Sequence, residues 1–237
     1  MLDEATREEV VAAIDQLQLR TEFQSRGPAG SAADSEITLT QTLTLPASAA
    51  EAWAHLTEPD RLTMWSPIVP DRPLISEGPA EARENPEDEG LDATVLTVER
   101  ERLLVHRWGP GIVRWDLTPA DSSVAADSSG AADASSAADA SSAADATGAA
   151  DATGAAERAG AAAGSQEGSG AGTELRLEQR FASAEEAALT AAGWHICFAM
   201  LQLVLAGRKV QRVVGADAME VSWERLRDTY AAMLRSA

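Results

Sequence analysis

AGWHICFAMLQLVLAG, residues 192–207, is apolar around most of a helical circumference. From Leu189 to Leu205 the run is too hydrophobic to lie on a surface, and helices of that kind are buried. Ser183 can cap this helix, with Glu186 three residues later as in a capping box. His195 and Gln202, seven residues apart, share the one narrow face suited to solvent or polar partners. A core helix must be covered, and the flanking sequence supplies strands to cover it.

TELRLEQRF (173–181), IVRWDLTP (112–119), Arg102–Trp108 and Leu91–Val98 read as strands, with Gly109-Pro110-Gly111 turning the chain between two of them. The clearest strand is Ile37–Leu45. Ile37, Leu39, Gln41, Leu43 and Leu45 share one face, and four threonines share the other. Pro46 ends it. Ser48 and Glu51 then suggest a capping box for a short helix through Trp53 and Leu56, and Pro59 can open a second one reaching Trp65. The Pro-, Gly- and Glu-rich stretch 67–90 is expected to hold one or two short edge strands. Val10, Val11, Ile14 and Leu17 predict an amphipathic helix within 2–20, before a Gly/Pro/Ser/Ala break at 27–33. Met219, Trp223, Leu226, Tyr230 and Met233 predict a last helix from Asp217 to Leu234.

One segment departs from this pattern. Asp121, Asp127, Asp133, Asp139, Asp145 and Asp151 recur every six residues, separated almost wholly by Ala, Ser, Thr and Gly. A hexapeptide β-helix needs a bulky aliphatic residue in each turn, and none recurs here. One Asp in six residues also falls short of a calcium loop. The composition predicts a disordered insert at about 120–172, since it cannot bury enough apolar surface to offset its ordering entropy. Because it lies between two strands, it reads as an expanded hairpin loop, which costs little closure entropy.

The formal net charge is −19, of which residues 120–172 supply eight acids against one Arg. An acidic chain repels phosphate backbones, so no nucleic-acid partner is expected. Cys197 is the single cysteine, which excludes an intramolecular disulfide framework. The start MLDEATREEV is acidic where a secretory leader would be basic, and the apolar stretch Ile196–Leu205 is too short to span a bilayer. The expectation is a soluble, cytoplasmic protein with no membrane insertion.

Strand, two short helices, several antiparallel strands and a long apolar helix together describe an α+β domain whose curved sheet wraps around that helix. The order resembles the START-like (SRPBCC, Bet v-like) helix-grip superfamily, and within it the bacterial branch similar to activators of the heat-shock-protein-90 ATPase. The resemblance is carried by LTLPASAAEAWAHLTEPDRLTMW (43–65), the strand ending RWDLTP, GTELRLEQRF (172–181) and residues 192–207. It covers most of 36–207, leaving a helix and linker at 1–35 and a helical extension at 208–237. The insert, which replaces a tight Gly turn, and the 67–90 stretch depart from the family pattern.

The resemblance implies a cavity for an apolar, lipid-like or polyketide-like small molecule. Trp65, Trp108, Trp115 and Trp194 fall where it places the cavity or its mouth, with Phe181, Phe198 and Leu201 nearby. Core packing is the simplest role for each; together they also suit a pocket for a flat or greasy ligand. Gln41 and Gln179 interrupt apolar strand faces, so each amide needs a partner, either a ligand or a structural hydrogen bond. No metal-ligand spacing, nucleophile elbow or nucleotide loop occurs, and neither cofactor nor metal is expected. Two other functions remain open. One is a co-chaperone with a chaperone partner, although only the residues before Ile37 could form an extra docking domain. The other is a polyketide cyclase or aromatase, for which His106 is the candidate base if it, and not Arg107, faces inward.

Overall fold

The alternating run becomes the ten-residue strand β2 (Glu36–Leu45) in the computed structural model, which describes residues 2–26, 36–120 and 172–236. Two capped helices follow, α2 (Ala49–Thr57) and α3 (Pro59–Leu62), after α1 (Glu4–Gln16) at the start of the chain. Ser48 Oγ accepts from the Glu51 amide, as the capping pattern predicts. Next come β3 (Val69–Pro70), β4 (Glu81–Arg83), β5 (Leu91–Asp92), β6 (Val95–Glu99), β7 (Leu103–Trp108), β8 (Gly111–Pro119) and β9 (Thr173–Phe181). The 22-residue helix α4 (Ala184–Leu205), a 3₁₀ segment (Gly215–Val221) and α5 (Trp223–Ser236) complete the fold.

Sequence expectations place the first strand at Ile37, but an earlier one, β1 (Arg20–Arg26), pairs antiparallel with β2 along its length. Its alternation is hard to read because it is a largely exposed edge strand with few apolar residues. The main sheet is antiparallel throughout, in the order β1-β2-β9-β8-β7-β6, and β3, β4 and β5 form a second small sheet. The expected strand Leu91–Val98 is therefore two strands in two sheets. Asp92 Oδ1 accepts from the Thr94 amide, an Asx turn that breaks the run between them. The expected helix Asp217–Leu234 is also divided, at Ser222, whose φ of 73° is left-handed.

Alternation sends Leu39, Leu43, Leu104, Val113, Leu175 and Leu177 to one face of the sheet, where all are buried. α4 packs on that face, and α1 and α5 cover its far side. By length and composition α4 could cross a bilayer. Here it is the core helix: Ala191, Phe198 and Leu201 are fully buried. The result is an α+β helix grip. The ends of the insert are adjacent, because Pro119 pairs with Thr173 and the Ala120 amide donates to Gly172 O at 2.8 Å. Residues 121–171, for which disorder is expected, lie outside the described residues, as do 27–35.

Candidate functional site

The β7–β8 hairpin places the aromatic side chains. Gly109, with φ of 57°, takes the left-handed turn that joins Trp108 to its cross-strand partner Gly111. The resulting register sets Leu104 opposite Trp115 and His106 opposite Val113. This resolves the inward choice: His106 is buried and Arg107 is half-exposed, pairing with Asp92. From the other side α4 presents Trp194 and, one turn on, Phe198.

Four of the tryptophans form one cluster. Trp115 meets Trp194 edge-on at 5.1 Å between ring centres, Trp65 at 6.4 Å and Phe198 at 6.2 Å. Trp194 lies 4.9 Å from Trp108 and stacks on Phe198 at 6.0 Å. A buried indole needs a partner for its N–H, and three have one at 3.1 Å. Trp65 donates to His55 O, Trp115 to His106 Nε2, and Trp194 to Gln179 Oε1. Gln179 thus satisfies an indole from within the protein.

His106 is held in one tautomer. Arg107 O can only accept, so Nδ1, 2.8 Å away, carries the hydrogen; the Trp115 indole only donates, so Nε2 is the acceptor. Burial pushes the ring down to about 4, which keeps it neutral. Both nitrogens are engaged, unlike those of a base poised for a substrate proton. Cys197 is buried on α4, and burial pushes its thiol up to about 12, so it is no nucleophile at neutral pH. Among the described residues no group of His, Cys, Asp and Glu is arranged to hold a metal ion.

The space around the cluster is unevenly divided. Between the sheet, α2–α3 and α4, a narrow cavity of about 20 Å³ touches Trp65, His106, Trp108, Trp115 and Trp194. That is room for a single water molecule. On the far side of Trp108 and Trp194, an apolar cleft of about 340 Å³ opens between α4, Pro67 and the 3₁₀ segment. Such a volume lies at the lower end of the range for small-molecule sites, about 300–1,000 Å³. Thr190, Gly193, Ile196 and Cys197 line it from α4, and Val213, Gly215, Ala218, Met219 and Trp223 from the chain beyond.

Trp65, Trp108, Trp115, Trp194, Phe198 and Gln179 are therefore brought together, and the remaining candidates are not. Phe181 is half-buried at the end of β9, paired with Ile37, and Leu201 is core. Gln41 points at α4 toward the β1 edge, where Nε2 donates to Ala191 O at 3.1 Å and to Thr21 Oγ1 at 3.3 Å. Thr21 donates on to the Tyr230 hydroxyl, which lies 2.7 Å from His195 Nδ1, and His195 Nε2 donates to Ile14 O. That network ties α1, β1 and α5 to α4. The lining contributed by Gly193, Met219 and Trp223 is absent from the sequence-level candidates. A glycine inside an apolar helix was the available signal for it.

No family model matches the chain, and no curated protein does. Among solved structures, a conserved protein of unknown function from Enterococcus faecalis, EF2215, matches at 14% identity with a TM-score of 0.56, covering 98% of each chain. The crystal structure of CalU16 from Micromonospora echinospora matches at 16% identity and TM-score 0.52, covering 92% of this chain and 98% of its own. Its solution structure matches at 17% and 0.55, covering 93% and 97%. The fold is a helix grip. At these identities the likeness extends to the fold and no further.

Proposed function

We propose that this protein is a non-catalytic binder of a small apolar molecule, held against α4 by Trp108 and Trp194. The observation that carries the reading is that these two indoles line both the outer cleft and the narrow inner cavity. Trp108 is the half-buried member, at the end of the hairpin beside a glycine turn. That indole stands between the cleft and the inner cavity, lining both. A lipid-like or polyketide-like ligand, the class that the family resemblance implies, fits an apolar site with so few polar groups. A soluble, cytoplasmic setting accords with it, since α4 is used as core and Cys197 is a free thiol.

The cyclase-like reading requires a free base, and His106 has both nitrogens committed. The chaperone-partner reading rests on the resemblance alone. Titration with N-phenyl-1-naphthylamine, a neutral aromatic probe, and native mass spectrometry of the purified protein test the binding reading. The wild type should bind the probe with quenching of tryptophan emission. Trp108→Ala should accept longer apolar probes, because it opens the interior. If the wild type binds neither aromatic nor fatty probes and carries no co-purified compound, the reading is wrong.

A further inference from the structure

Two local features that work against helical economy border the same cleft. Gly193 sits in the middle of α4, where glycine is among the poorest helix formers and alanine the best. A glycine so placed is usually explained by close packing, but a Cβ built at Gly193 meets nothing within 4 Å. The space it leaves is the cleft, whose floor is bare helix backbone at that point. Across the cleft, the chain runs as a 3₁₀ segment and turns at Ser222 in the left-handed region, which a residue with a Cβ seldom adopts. The turn divides what the apolar spacing would make a single helix. Met219, half exposed, and Trp223 flank it, and both line the cleft.

Departures from local preference with no packing reward are expected where a site needs its shape. We propose that Gly193 is the specificity-determining residue of this site: it admits the flat face of a planar, conjugated apolar ligand directly onto the α4 backbone. Trp108 and Trp194 bound that face with indole surface, Met219 adapts to its outline, and Thr190 offers the one side-chain hydroxyl of the lining. The inference rests on the binding reading given above and adds the ligand's shape. A planar ring system approaches a helix backbone most closely where no Cβ projects. A globular hydrocarbon of equal volume gains nothing from that gap.

Gly193→Ala and Gly193→Leu in the full chain test this, with anthracene as the planar probe and 1-adamantanol as the globular one. Alanine restores helix propensity in open space, so the apo protein should melt about 2–4 °C higher. The same substitution should weaken the planar probe roughly tenfold, a loss of about 1.4 kcal/mol, and Gly193→Leu should abolish its binding while the protein stays folded. The wild type should prefer the planar probe. If the wild type binds the planar probe and Gly193→Leu binds it equally well, the role of Gly193 is refuted and the binding site stands. A lower melting temperature for Gly193→Ala would equally refute it, since the glycine would then be serving packing. If the wild type binds neither probe, this inference falls together with the reading beneath it.

Discussion

Lowering the pH from 7 to 5 should destabilise the fold through His106. An unfolded histidine titrates near 6.5, whereas burial holds this ring at about 4. The folded state keeps it neutral, so its contribution is whole above about 6.5 and is lost as the pH falls from there toward 4. The full gap is worth about 3 kcal/mol, of which about 2 kcal/mol has gone by pH 5. For a domain of this size that corresponds to a melting temperature lower by roughly 4–8 °C. His55 and His195 are also held low, in both cases chiefly by burial, and they add to the wild-type slope. The decisive quantity is therefore a difference. His106→Gln should be less stable at pH 7, having lost the ring that accepts from Trp115, but should lose about 2 kcal/mol less than wild type on going to pH 5. Urea melts of both proteins across that range measure it. Parallel pH dependence would refute the account of His106 as a neutral ring locked between Arg107 O and Trp115.

Two further outcomes follow from the packing. Leu201→Glu should unfold the domain, because that side chain is fully buried and an unpaired carboxylate there faces several kcal/mol of desolvation against a typical stability of about 5–15 kcal/mol; Gln202→Glu, half-exposed, should cost far less, and equal melts would contradict the grip of the sheet on α4. Replacing residues 121–171 by a short glycine turn should leave the melting temperature within a few degrees, since Ala120 and Gly172 are already hydrogen-bonded at the neck; circular dichroism melts showing a large drop would mean the segment contributes to the core.

What the sequence made legible was whatever burial had written with a clean period. β2, β9 and the capped start of α4 follow the expected pattern closely because one face of each strand, and most of α4, is in the core. β1 escaped because an edge strand with a wet surface carries little hydrophobic alternation. The break between β5 and β6 escaped because an Asx turn is a side-chain event inside a run that otherwise alternates. At the site, the aromatic residues could be named from their places along the elements, but their distribution could not. Gln41 and Gln179 look alike on paper, each a polar interruption on an inward face. Only the register separates them, sending one amide to Trp194 and the other to Ala191 and Thr21 at the β1 edge.

That separation bears on where the molecule can work. On the sheet side of α4, three indole N–H groups and both His106 nitrogens have partners within the protein. Along the β1 flank of α4, the run of bonds from Gln41 through Thr21, Tyr230 and His195 ends on Ile14 O, and it ties the terminal elements to α4. Leu201 and Phe198 are committed to the core, and Gln202 reaches Thr44 O. The strip from Thr190 through Gly193 to Cys197 is different, since it borders an open cleft and includes a residue with no side chain to commit. Within that strip Ile196 and Cys197 are nonetheless buried, so the burial still missing beside the 340 Å³ of space is that of Gly193, and of Met219 and Trp223 across the cleft. A ligand bound there would recover that burial, and the occupied protein should be the more stable form, by an amount that grows with ligand concentration.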